Sequence, residues 1–237
     1  MKIFVLVALI YLGGCATKYI IPGNRFITPE SQGQAFRGQI ELQQTNANQL
    51  TIDVSQNTID QGVLYGDLNR LGFLFSHSFF EQFDAVWTHT GSGNSLIGGK
   101  FQLFGASRTA NGTGHKLSIA ALVGGNEHET EDKAVEFKLG GQEFLVVYGY
   151  RFSEMLLSYL SFSRATYDFE GRISSPDPAL NGAEPKLKTA VNSVGTGLQL
   201  DFNSIFAKGE LTAQQLQTTD TKEKIRFAIG YSMGFGW

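Results

Sequence analysis

The chain has one cysteine, five prolines and charged residues at 17% of its 237 positions, and each scarcity excludes something. A single thiol can form neither an intrachain disulfide nor a cysteine-based zinc site. A formal net charge of −3 gives no basic footprint for nucleic acid. Past the first 14 residues there is no run of eighteen consecutive apolar residues, so the sequence contains no membrane-spanning helix. The prolines sit in two zones, Pro22 and Pro29 near the start and Pro176, Pro178 and Pro185 in one polar stretch. The remaining segments are free to form uninterrupted hydrogen-bond ladders. What is plentiful is glycine, at 28 residues, and aromatic side chains, at 12%. Charge below the roughly 25% of soluble domains, together with this aromatic content, describes one ordered domain in place of a disordered chain.

Residues 1–14, MKIFVLVALIYLGG, put Lys2 ahead of an apolar run too short for a retained membrane helix, the pattern of a secretory signal peptide. The next position is the cysteine, and Leu12-Gly13-Gly14-Cys15 resembles the lipobox of bacterial lipoproteins. The resemblance implies that the leader is removed, that the Cys15 thiol receives diacylglycerol, and that the new amine often takes a fatty-acyl chain such as palmitate. Ala16, where many inner-membrane lipoproteins have aspartate, implies delivery to the outer membrane by the lipoprotein export machinery. Residues 15–32 are then expected to be a lipid-anchored periplasmic tether and 33–237 the folded domain.

From residue 33 onward large apolar residues alternate with small or polar ones, the period of a strand with two unlike faces. Phe227, Ile229, Tyr231, Met233, Phe235 and Trp237 share one face of the last segment, opposite Arg226, Ala228, Gly230, Ser232, Gly234 and Gly236. Phe144, Val146, Tyr148, Tyr150 and Phe152 alternate with Leu145, Val147, Gly149 and Arg151 in the same way. The alternation places strands near 33–45, 67–78, 83–91, 94–106, 115–125, 142–152, 154–169, 187–202, 205–217 and 223–237. Short links near 79–82, 153–154 and 203–204 contrast with longer polar ones at 125–142 and 172–188. The fold class is therefore all-β, an antiparallel transmembrane β-barrel of about ten strands within a range of roughly eight to twelve. Residues 46–66 fit either an extra strand or an extension of the first outer loop. An even strand number puts both ends of the barrel in the periplasm, beside the inner leaflet that a lipid on Cys15 could enter.

The last eleven residues, alternating apolar and ending in Trp237, resemble the C-terminal assembly signal of Gram-negative outer-membrane β-barrel proteins. That resemblance implies recognition of Phe227, Ile229, Tyr231, Met233, Phe235 and Trp237 by the barrel assembly machinery, and outer-membrane lipids as partners. A different architecture satisfies the same alternation. A soluble, lipid-tethered barrel resembling bacterial lipocalins would carry the apolar faces inside and bind a lipid there.

With apolar faces turned to lipid, the lumen receives Arg37, Glu41, Arg70, Asp84, Lys100, Lys116, Arg151, Asp201, Lys208, Glu210 and Arg226, a mixed set with a positive bias. Ten strands leave little space beyond side chains, so ion pairs with Gln39, Gln102, Gln199 and Gln214 are expected to plug the interior, with a narrow pore as the alternative. Catalysis needs convergent groups, and His89 with Ser92 or His77 with Ser78 are the nearest approach to a barrel hydrolase acting on envelope lipids. Adjacent strand residues point to opposite faces, so no catalytic residue is assigned. His128-Glu129 lacks the second histidine of a zinc helix, and the acidic stretch Glu127, Glu129, Glu131 and Asp132 reads as a solvated loop. No metal and no cofactor are expected. The sequence points to a non-enzymatic outer-membrane barrel with a structural, surface-interaction or narrow-pore role.

Overall fold

The computed structural model describes residues 16–55, 58–90, 95–110, 112–129, 135–174, 181–184, 186–218 and 225–237. A short strand β1 (Ala16–Pro22) is followed by irregular chain and then by ten strands: β2 (Gly38–Ser55), β3 (Thr58–Phe80), β4 (Phe83–Thr90), β5 (Ser95–Phe104), β6 (Gly114–Glu129), β7 (Val135–Arg151), β8 (Leu156–Ile173), β9 (Lys186–Phe202), β10 (Ile205–Thr218) and β11 (Arg226–Gly236). Each of the ten pairs antiparallel with its neighbour in sequence, and β2 pairs with both β3 and β11, which closes the barrel. Over the β2–β11 ladder closure leaves no open edge, the condition for crossing lipid with strands.

At one end the strands turn tightly between Phe80 and Phe83, Arg151 and Leu156, and Phe202 and Ile205, and β11 finishes there too. The link from Phe104 to Gly114 at this end is longer and holds a single 3-10 turn, Arg108–Ala110. At the other end the ladders run on: β7 and β8 stay paired as far as Val135 and Ile173. Short turns mark the periplasmic end of such barrels and long hairpins the outer end.

Phe144, Tyr148 and Phe227 face outward, Phe144 at 59% and Phe227 at 73% exposure. They join Ile229, Met233, Leu160, Phe162, Leu198 and Leu200 in an apolar outer surface. This is the reverse of a soluble lipid-binding barrel, so the lipocalin-like arrangement is not the one this chain adopts. The closed ten-strand antiparallel barrel has the build of small outer-membrane barrels.

Polarity then inverts along single strands. On β8, Leu160 and Phe162 are exposed, whereas eight residues nearer the outer end Asp168 and Glu170 are exposed and Tyr167 and Phe169 buried. On β7, Phe144 and Val146 give way to exposed Glu136 and Lys138 over buried Phe137 and Leu139. The apolar belt therefore ends partway up, and above it the same sheet continues as a water-facing barrel with an apolar interior. That inversion explains why β7 and β8 extend beyond the segments read from outward apolar residues alone. Within 46–66 the described residues, 46–55 and 58–66, continue β2 and β3, with a register shift between Ala47 and Asn48, and form no separate strand.

The largest correction concerns residues 15–32, expected as a tether outside the barrel. Residues 16–22 are β1, hydrogen-bonded to β2 from Ala16↔Asp53 to Pro22↔Ala47. Residues 23–33 are buried or nearly so and lie inside the barrel. The segment lacks a strand period but carries polar groups that match the lumen wall, and burial of matched polar groups fixes its place.

Candidate functional site: the occupied lumen

The segment from Asn24 to Gln32 descends through the lumen, touching the wall on all sides. Near the outer end, the Asn24 amide N–H donates to Thr45 Oγ1 at 3.0 Å and its side-chain Nδ2 to Thr212 Oγ1 at 2.9 Å. The Arg25 guanidinium meets Glu143 on β7, with Nε 2.6 Å from Oε1, and donates from Nη2 to Tyr167 Oη at 3.2 Å. Glu210 on β10 accepts from the backbone N–H of Arg25 at 3.0 Å and of Phe26 at 3.1 Å, and from Tyr159 Oη at 3.1 Å.

Phe26 sits at φ 55°, in the left-handed region that a residue with a side chain rarely adopts. Its two peptide groups are clamped by opposite charges. Glu210 takes the N–H, and the Lys208 ammonium donates to the carbonyl at 2.9 Å while pairing with Glu41 at 2.6 Å. Across from it the wall gives way: a Cβ on Gly230 would lie 2.6 Å from Phe26 Cζ and 2.5 Å from Asn24 Oδ1. A side chain at position 230 would have to push the Phe26 ring and the Asn24 side-chain amide aside.

Glu30 is the hub of the lower lumen. Its carboxylate accepts from Arg151 through Nε at 2.6 Å and Nη2, and lies 3.1 Å from the Lys116 ammonium. Arg151 also reaches Asp201 at 2.9 Å, and Asp201 pairs with Arg108 at 2.7 Å. Lys100 pairs with Asp84 at 3.0 Å and donates to the Glu30 carbonyl. Asp84 accepts from the Gln32 N–H at 3.1 Å, and Gln102 Oε1 from the Ser31 N–H at 2.6 Å. The 105–113 link folds under this network, where the Arg108 N–H donates to the Ser31 carbonyl at 2.9 Å and its guanidinium lies 4.5 Å from the Phe206 ring centre. A shallow hollow of ≈ 170 Å³ between Gln32, Arg108 and Trp237 opens at this end.

Among the described residues Arg25, Lys100, Arg108, Lys116, Arg151 and Lys208 face Glu30, Glu41, Asp84, Glu143, Asp201 and Glu210, and half-buried Arg70 adds a seventh base. The expected positive bias is reduced, because Glu30 and Glu143 join the four acids read from the sequence. Arg37 and Arg226, assigned to the lumen by their position on the strands, are exposed near the ends of the barrel, and Arg70 is half-buried. Parity sets the face but not the depth, and a side chain at a barrel mouth points inward while remaining in water. Glu41, Asp84, Lys100, Lys116, Arg151, Asp201, Lys208 and Glu210 are buried, with Gln39, Gln102, Gln199 and Gln214.

Glu143 was legible by the same parity, two residues from Leu145 on the face of Arg151, yet escaped the sequence reading. Arg25 and Glu30 carried no signal, because their charged partners, Glu143 for the one and Arg151 and Lys116 for the other, lie on strands far along the chain. The lumen is not filled by charge alone. Ile27 packs with Leu74, Val86, Leu96, Leu122, Leu145 and Val147, and above the belt Ile21 packs with Phe137, Leu139, Tyr167, Phe169 and Leu216.

Cys15 lies outside the described residues, as do Ser92, Glu131 and Asp132. His89 is bonded instead to Ser95 across the β4–β5 ladder, with Nδ1 2.8 Å from Oγ. His77 stands on the outer face between the Phe75 and Phe79 rings, whereas Ser78 turns inward and donates to the Phe80 carbonyl at 2.7 Å. His77 and Ser78 therefore stand on opposite faces of β3. No metal-holding group of three or more His, Cys, Asp or Glu occurs among the described residues. Phe227, Ile229, Tyr231, Met233, Phe235 and Trp237 form the outward edge of β11, and the Trp237 N–H donates to the Gly38 carbonyl at 3.0 Å where the barrel closes.

No protein-family model and no curated relative matches the chain. Several solved structures resemble it. The attachment invasion locus protein Ail of Yersinia pestis has 8% identity and TM-score 0.36, covering 86% of this chain and all of that one. The N-terminal β-barrel domain of Pseudomonas aeruginosa OprF has 16% identity and TM-score 0.35, covering 87% and 100%. Neisserial surface protein A has 9% identity and TM-score 0.37, covering 87% and 98%. The barrel assignment itself rests on the closed ladder and the apolar outer belt.

Proposed function

We propose that this protein is a sealed, non-enzymatic outer-membrane barrel whose work is done by its outer hairpins, as a structural or surface-interaction component, and not by conduction through the lumen. The observation that carries this reading is the segment 23–33, buried along its length and bonded to β2, β4, β5, β6, β7 and β10. Opening a path would strip partners from buried charges, each worth several kcal/mol of desolvation.

Lipid on Cys15, contact with outer-membrane lipids, and handling by the barrel assembly and lipoprotein export machinery belong to the same reading; the lipobox and the C-terminal alternation support them. Mass spectrometry of the mature N-terminal peptide tests the acylation: diacylglyceryl-cysteine is expected, and a free Cys15 thiol refutes it. The sealed lumen is tested by reconstituting the purified full-length protein in planar bilayers. The expected result is no single-channel steps at applied voltages that leave the barrel folded, and steady conductance steps would refute the reading.

A further inference from the structure

We propose that the chain threads its own barrel, so that Ala16, at the start of β1, is presented on the long-hairpin, cell-surface side of the membrane and not in the periplasm. The proposal rests on the sealed-barrel reading for the presence of residues 23–33 in the lumen, and adds the direction in which they run.

Sheet register supplies the direction. β11 pairs with β2 from Gly236↔Gln39 to Gly230↔Thr45, beginning at the short-turn end. β1 takes over the same edge of β2 from Pro22↔Ala47 to Ala16↔Asp53. The two strands therefore lie end to end, with β1 on the outer side. The apolar outward positions of β2 are Ile40 and Leu42, followed by polar Gln44 and Asn46. Pro22, level with Ala47, lies at the outer margin of the apolar belt, near the level of Ile229 and Phe227 on β11, and Ala16 is roughly 20 Å farther along the strand toward the outer end.

Between β1 and the lumen the chain turns at Gly23. Its N–H continues the ladder by donating to the Asn46 carbonyl at 2.8 Å, while a Cβ there would lie 2.3 Å from both Asn46 O and Ala228 Cβ. A residue without a side chain fits the point where β1 yields the edge to β11. At the opposite end the segment leaves the lumen where the Phe36 N–H donates to the Ser78 carbonyl at 3.0 Å, beside the turn after β3. Chain entering at the hairpin end and leaving at the turn end crosses the full apolar belt inside the wall.

The topology constrains assembly. A chain cannot pass sideways through a closed ladder, so the segment either is in place before β2 and β11 pair or enters end-on through a mouth of the barrel. Arg25 and Glu30 offer the wall opposite charges at two depths, which set its register. The acyl groups that the lipobox resemblance implies for Cys15 would, on this topology, face the outer leaflet.

The test is cysteine labelling in cells with a membrane-impermeant maleimide, using full-length Thr17→Cys and Lys18→Cys, two consecutive positions of β1. Lys186→Cys, exposed at the hairpin end, and Ser204→Cys, in a short turn, calibrate the two sides. The expected outcome is reaction of at least one of the two β1 variants on intact cells, as for Lys186→Cys, while Ser204→Cys reacts only after the outer membrane is permeabilised. Failure of both β1 variants to react on intact cells overturns the proposal. If the purified protein still conducts nothing, the sealed lumen survives that result and threading alone falls.

Discussion

Between Phe26 and Gln32 the lumen is packed with ion pairs, Glu30 with Arg151 and Lys116, Lys208 with Glu41, Lys100 with Asp84. Around Ile21, farther toward the hairpin end, it is packed with Phe137, Leu139, Phe169, Val191 and Leu216. What surrounds the wall accounts for the difference. Where lipid lies outside, each strand spends its apolar face outward and has polar residues left for the interior. Where water lies outside, Glu136, Lys138, Asp168, Glu170, Lys186 and Lys188 take the outer face and the apolar residues turn in. One continuous sheet is thus a membrane barrel below and a water-soluble barrel above, and the segment 16–33 supplies a filling of the appropriate kind to each.

The comparison breaks most readily where the two fillings are removed. Glu30→Ala leaves Arg151 and Lys116 without the carboxylate they share, and a buried pair broken from one side costs about 3–5 kcal/mol. Phe169→Ala empties an apolar site above the belt at a similar cost of about 3–5 kcal/mol. Urea unfolding in phospholipid vesicles measures both. Equal stability of either variant and the parent would mean that half of the lumen is not packed as described.

A smaller effect marks the height of the inversion. Phe162→Arg puts a charge on the lipid face of β8 and is expected to cost about 2–4 kcal/mol, whereas Asp168→Arg, six residues toward the outer end, changes stability by less than about 1 kcal/mol. The same unfolding assay distinguishes them, and equal costs at the two positions would erase the boundary between lipid and water.

The smallest effects belong to the outer charges. Lys188 lies 3.3 Å from Asp168 with both side chains largely exposed, so Lys188→Ala shifts stability by no more than about 1 kcal/mol. Lys138 lies 3.2 Å from Glu127, and their hydrogen bond and mutual charge hold its ammonium pKa above the usual value. Salt screens such pairs, so unfolding of Lys138→Ala and of the parent should converge further as ionic strength rises. A difference that persists in high salt would mean that this surface is buried.

The sequence made the membrane half of the wall legible, because Phe144 to Phe152 and Phe227 to Trp237 repeat one strong period-two pattern. It made the upper half faint. There the large residues, Phe137, Leu139, Tyr167 and Phe169, change to the inner face, so a reading that tracks outward apolar residues stops at the lipid boundary. The lumen contents were least legible. Arg25 and Glu30 sit in a stretch with no period and two prolines, which looks like a linker until its partners on β6, β7 and β10 are known. Glu143 shows the limit of attention to aromatic faces, since its position opposite Phe144 was sufficient to place it.

The central claim, that residues 23–33 occupy the lumen of the closed barrel, is tested most directly by a designed disulfide. Asn24 Nδ2 and Thr212 Oγ1 are 2.9 Å apart across the lumen although 188 positions separate them. The double variant Asn24→Cys, Thr212→Cys, oxidised in the assembled state and run denatured without reductant, is expected to migrate as one cross-linked species that reductant reverts. Two free thiols in the folded, membrane-inserted barrel after oxidation would contradict the account.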